Sequence, residues 1–202
     1  MSAIKTALAI DKADRIPPRE RILAAAADLF YRHGIRAVGV EAIADAAGTN
    51  KMTLYRHFES KDELVAEYLR KLAGSADAGW ARRAAELPGD HPAQLRAWLA
   101  EMASHIAASD DRGCAVANAA VELPERDHPA RRVIEGFKKG QRQRLIELCV
   151  AAGLSEPETL ADELFLLLEG TRVTAQCLGR DGLDARLLRM GEAMIAAHQA
   201  KA

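Results

Sequence analysis

The sequence predicts an all-α protein, and three observations carry that expectation. Of its 202 residues 49% are hydrophobic, yet alanine supplies much of that fraction and only 4% are aromatic. Alanine and leucine favour helix, whereas strands draw on the β-branched and aromatic types that are sparse here. Apolar residues recur at three- and four-residue steps, the repeat of one helix face. Capping residues, glycines and prolines then fall between these periodic segments, and no segment reads as a strand.

Taken in order, residues 1–16 mix charges with small residues ahead of Pro17-Pro18 and are expected to form a flexible arm. Ile22, Ala26, Leu29 and Phe30 then mark one face of a helix closed by Gly34. Gly39 can cap a short helix carrying Val40, Ile43, Ala44 and Ala47, which Gly48 ends in a left-handed conformation. Asn50 is a good N-cap for a third helix through Leu54 and Phe58. Ser60 with Glu63 forms a capping box opening a long helix that Pro88-Gly89 stops.

Asp90-His91-Pro92 starts the next helix, with Leu95, Trp98, Leu99, Met102 and Ile106 apolar. A loop at Asp110–Gly113 leads to a short helix ended by Pro124, and Asp127-His128-Pro129 opens another that runs to Gly153. Ser155 with Glu158 reads as a second capping box, with Pro157 in the first turn, where a missing N–H costs nothing. That helix is apolar nearly all round at Leu164–Leu168, and a last one spans about 184–199. The expectation is nine helices.

Net charge is −1, which argues against a general polyanion binder. Residues 1–72 hold 12 Lys/Arg against 10 Asp/Glu and the rest 16 against 19, so any DNA-binding surface must come from local arrangement. The three cysteines, Cys114, Cys149 and Cys177, are too few and scattered for a disulfide framework or zinc site. Cys114 lies near a helix start beside Arg112, where a redox role competes with that of a small buried hydrophobe. No basic segment precedes an apolar run at the N-terminus, and charges interrupt every long apolar stretch. The chain is therefore expected to be cytoplasmic, with no membrane association, metal or cofactor.

Three short helices with a glycine-containing turn between the second and third fit a DNA-binding tri-helical layout. Asn50, Lys51, Met52 and Thr53 can reach base edges: lysine donates to guanine O6/N7, and threonine or methionine can lie on a thymine methyl. Tyr55, Arg56 and His57 offer phosphate donors. On spacing alone, an ordinary mixed helix of an alanine-rich bundle explains this pattern equally well.

The stretch Ile43–Leu64, IADAAGTNKMTLYRHFESKDEL, resembles the N-terminal domain of the TetR (tetracycline repressor) family, and T-L-Y-x-H-F-x-S-K-x-E-L is its specific portion. The resemblance implies a two-domain architecture: a helix-turn-helix domain over 17–60, and a helical ligand-binding and dimerisation domain over 61–202. It implies that Lys51, Met52 and Thr53 face bases and that Tyr55, His57 and Lys61 contact phosphates. Plainer roles compete: Tyr55 as a wedge between helices, His57 as an idle histidine, Lys61 as a surface charge. The family usually has threonine where this chain has Gly39, so one backbone contact is in doubt although glycine still caps.

A ligand-responsive repressor, binding a palindromic operator as a homodimer and released by a small apolar or aromatic effector, is the function this implies. Few charges fall on the faces bearing Trp98, Met102, His105, Asn118, Glu122, Phe137 and Gln141, the candidate effector contacts, although core packing also explains Trp98, Met102 and Phe137, and a satisfied structural polar His105 and Asn118. The wide apolar arc of the helix at 157–178 calls for a second partner. Leu160, Leu164, Leu167 and Leu168, with Leu187 and Met194 of the last helix, are the candidate dimer interface, against the alternative of a fully internal helix. An enzyme is the competing class, but no glycine-rich phosphate loop, metal-ligand pair or nucleophile–base spacing appears. A helical adaptor binding protein is the other.

Overall fold

The computed structural model describes residues 16–108 and 112–199; the arm expected over 1–16, except Ile16, and residues 110 and 111 of the expected loop lie outside them. The described residues form nine α-helices and no strand. These are α1 (Pro18–His33), α2 (Val40–Ala46), α3 (Lys51–His57), α4 (Lys61–Glu86), α5 (His91–Ala108), α6 (Ala115–Glu122), α7 (Pro129–Ala151), α8 (Pro157–Leu178) and α9 (Leu183–Ala197). None is long and apolar enough to cross a membrane.

Two compact units emerge. The first comprises residues up to Lys71 together with Ala119–Arg131, and the second Leu72–Asn118 with the chain from Arg132 onward. Helix α4 runs through the boundary between Lys71 and Leu72 without interruption.

In the first unit α1, α2 and α3 pack on one another. Ile22, Ala26, Phe30, Ile43, Leu54, Leu64 and Val65 are buried there, and Phe30 meets Tyr68 with ring centroids 5.8 Å apart. Burying each large aliphatic side chain stabilises by about 1.5–3 kcal/mol. Gly34 ends α1 at φ 87°, ψ 154°, a region open essentially to glycine alone. A Cβ there would also stand 3.0 Å from Oε2 of Glu122, the oxygen that accepts the Arg36 backbone N–H at 2.9 Å. Gly34→Ala is therefore expected to destabilise by about 1–3 kcal/mol, read as a lower urea midpoint with an unchanged slope.

The second unit is centred on Leu95, Leu99, Leu145, Cys149, Leu160, Leu164, Leu168 and Leu187. Helix α9 lies against α5 and α8. Gly191 permits the close crossing, since a Cβ there would fall 2.6 Å from Cδ2 of Leu99. Burial pushes the Cys149 thiol up to about 11, so it stays protonated and packs as a small hydrophobe.

Local capping follows the sequence at Ser60, whose Oγ accepts the Glu63 N–H at 3.0 Å, and at Asp90, whose Oδ1 accepts that of Ala93 at 3.0 Å. It departs from the sequence at Ser155. The N-cap of α8 is Glu156, at φ 47° and without a side-chain cap. Ser155 instead donates its hydroxyl (2.9 Å) and its backbone N–H (2.8 Å) to the carbonyl of His198. A terminal carbonyl just beyond α9 outcompetes the capping box because it needs a donor and lies within reach.

Candidate nucleic-acid interface

The α2–α3 turn is set by short-range hydrogen bonding. Thr49 N–H donates to Ala44 O at 2.9 Å and Gly48 N–H to Asp45 O at 3.0 Å, with Gly48 left-handed at φ 62°. These two bonds satisfy the last carbonyls of α2 and reverse the chain in two residues, as a Schellman motif does. Asn50 then caps α3, its Oδ1 accepting the Thr53 N–H at 2.9 Å.

Helix α3 is divided between anchor and outer face. Leu54 and the following Phe58 are buried, and the Arg19 guanidinium lies 5.1 Å from the Phe58 ring centroid. Asn50, Lys51, Tyr55 and Arg56 are exposed, Met52 is 84% exposed, and Thr53 is half-buried. Tyr55 is 42% exposed. His57 is half-buried, with its Nε2 enclosed and without a hydrogen-bond partner, so that atom is not on the outer surface.

Lys61 begins α4 half-buried beside a cavity of about 490 Å³, lined also by Arg36, Asp62, Glu125 and His128. Burial lowers the Lys61 ammonium from its ordinary range, partly offset by Asp62 and Glu122. A phosphate alongside would reverse that shift, because an anion favours the charged form. Composition could not reveal Glu41. Its Oε1 receives the Lys51 Nζ at 2.7 Å, a contact made across the turn.

The candidate effector residues are scattered. Trp98 is buried and stacks on Trp80, with centroids 6.2 Å apart. Trp80 Nε1 donates to Gln141 Oε1 at 2.9 Å, which brings Gln141 to the same aromatic pair. Met102 and Phe137 are half-buried, Met102 with its Sδ 3.9 Å from an Arg172 nitrogen. His105 is largely exposed, and Asn118 donates to the Arg112 carbonyl at 2.6 Å. Glu122 lies in the first unit, where its Oε2 accepts the Arg36 N–H at 2.9 Å, and the other candidates lie in the second.

A charged pair stands beside the two tryptophans: Arg83 is buried, lies 4.6 Å over the Trp80 ring and pairs with Glu101. Burial alone would push the Glu101 carboxyl up, but Arg83 and Arg82 outweigh it and hold it below the usual carboxylate range. Cys114 is half-buried, 3.9 Å from the Lys138 ammonium.

Of the interface residues expected from the sequence, four turn inward and two stay partly open. Leu160, Leu164, Leu168 and Leu187 are buried in the chain's own core, and Leu167 and Met194 pack half-buried against it. Helical periodicity shows that α8 is apolar but not which arc its own chain covers. The exposed arc carries Leu166, Gly170, Val173 and Cys177, and Met190 is exposed on α9.

Residues 22–68 match the family model of the bacterial regulatory proteins of the tetR family. Over 89 residues the chain is 37% identical to the HTH-type transcriptional activator FasR of Mycolicibacterium smegmatis, covering 43% of this chain and 40% of that one. Over 52 residues it is 50% identical to the HTH-type transcriptional repressor KstR2 of Rhodococcus jostii, covering 26% of each. These matches thus span well under half of either relative. A longer match, 30% identical over 166 residues, covers 76% of this chain and 73% of an uncharacterized HTH-type transcriptional regulator of Mycobacterium bovis. The crystal structure of a TetR-family transcriptional regulator from Streptomyces coelicolor superposes with a TM-score of 0.84 at 25% identity, over 91% of this chain and 96% of that one. With a helix-turn-helix held by its own caps and relatives that extend through both units, the chain belongs to the TetR family of bacterial regulatory proteins.

Proposed function

We propose that the chain is a ligand-responsive transcriptional repressor that binds a palindromic operator as a homodimer in the cytoplasm. The observation that carries the DNA reading is the division of α3. Leu54 and Phe58 anchor it while Lys51, Met52, Tyr55 and Arg56 stand outward from one short helix. Lys51, Met52 and Thr53, following the cap Asn50, meet base edges in the major groove. Tyr55, Arg56 and Lys61, with His57 through the ring nitrogen other than its enclosed Nε2, position the unit on phosphates, which fix register without reading sequence. Similarity to both an activator and a repressor supports DNA binding more directly than the sign of regulation. Repression follows from occupying the promoter.

The exposed apolar arc of α8, Leu166 and Val173, together with Met190 of α9, supports pairing with a second copy into a four-helix contact. A two-fold dimer places two α3 helices on half-sites one or more helical turns apart. The effector is a small, largely apolar or aromatic molecule, met by candidates that include Trp98, Met102, Phe137 and Gln141. It acts by favouring a conformation that binds DNA poorly, with α4 as the element common to both units.

Binding to duplex DNA from the protein's own promoter region tests the reading. Affinity is expected to fall steeply with salt as phosphate-bound counterions are released. Lys51→Ala should relax sequence preference, whereas Lys61→Ala should weaken all sequences alike and flatten the salt slope by about 1. Affinity independent of salt, or absent, would reject DNA binding.

A further inference from the structure

Lys51 opens α3 on its exposed side, and its Nζ lies 2.7 Å from Oε1 of Glu41, in the first turn of α2. Both side chains are open to water, Lys51 at 53% and Glu41 at 65%. Exposed pairs of this kind add little to stability. What the contact changes is the behaviour of the lysine.

An ammonium on a four-carbon stem is a mobile point charge that meets phosphates as readily as bases. Held by Glu41, it loses reach, and the pair as a whole carries little net charge. Three donors belong to the ammonium, and one is directed at the carboxylate. Two remain, matching the O6 and N7 acceptors that guanine presents in the major groove. The first turn of α3 has no acidic residue of its own, so the restraint comes from the neighbouring helix. The hydrogen bond to Lys51 holds the Glu41 carboxyl below its ordinary range, and the same bond raises the Lys51 ammonium. Each partner thereby sustains the charge of the other.

We propose that Glu41 is a specificity-determining residue that positions Lys51 for base contact and keeps its ammonium off the phosphate backbone. The inference rests on the reading that α3 enters DNA. On random sequence the pair stays closed and neutralises no phosphate. On the operator Lys51 keeps its carboxylate partner and adds guanine.

Glu41→Gln, which preserves shape and removes the charge, provides the test, with salt titrations on promoter-region and random duplexes. For the variant, the log–log salt slope on random duplex should steepen by about 0.9, one further phosphate neutralised. The ratio of specific to random affinity should fall about fivefold or more, the size of one lost base discrimination. In a Lys51→Gln background the same change should move neither quantity, and Glu41→Asp should restore part of the ratio.

An unchanged slope and ratio in Glu41→Gln would overturn the proposal. So would an equal effect without Lys51, because the carboxylate would then act on phosphates directly. A wild-type protein that binds neither duplex would instead remove the DNA reading and the proposal with it, an outcome distinct from both.

Discussion

Leu164→Asp is expected to unfold the second unit, whereas Leu166→Asp, two residues along the same helix, is expected to leave it folded and prevent the proposed pairing of two copies. Leu164 is 1% exposed within the cluster that includes Leu160, Leu168 and Leu187. Truncating such a leucine costs about 2–5 kcal/mol. A carboxylate in its place adds the desolvation of an unpaired charge, several kcal/mol more. Against a total stability of about 5–15 kcal/mol, the native state does not survive. Leu166 is 69% exposed, and a substitution there changes stability by about 0.5 kcal/mol or less.

Urea unfolding followed by circular dichroism measures the first variant, and sedimentation the second. A folded Leu164→Asp protein would contradict the packing. A Leu166→Asp protein that still sediments as a dimer would place the interface elsewhere.

The second large effect is expected within α3. Leu54→Ala should lower stability by about 2–5 kcal/mol and abolish binding to every DNA sequence. Leu54 is fully buried, and a seven-residue helix has no stability apart from its packing. Without the anchor, the outer face loses its orientation. Met52→Ala, on the opposite side, should leave the unfolding midpoint nearly unchanged and alter discrimination at a thymine-bearing position. Equal loss of stability in both variants would show that α3 is not divided between anchor and reader. Loss of DNA affinity in Met52→Ala alike on all sequences would deny it a base contact.

These contrasts mark where the sequence was informative. The Asn50 cap, the left-handed Gly48 and the Ser60 cap were all legible, because each bond spans five residues or fewer. The anchors Leu54 and Phe58 followed from helical spacing for the same reason. The T-L-Y-x-H-F-x-S-K-x-E-L stretch added the family, and with it an expected division between base-facing and phosphate-facing residues.

Tertiary structure decided the rest. Ser155 takes a carbonyl 43 residues away in place of its capping box, and Glu122 meets the Arg36 N–H 86 residues back, a partner that local spacing does not reveal. Lys51 faces outward as its position implies, but its carboxylate partner comes from α2, ten residues earlier. On α8 the sequence showed an apolar helix and could not show that Leu164 turns inward while Leu166 turns out. A helical period determines which residues share a face. Which neighbour covers that face depends on how distant helices pack, and that information belongs to the assembled chain.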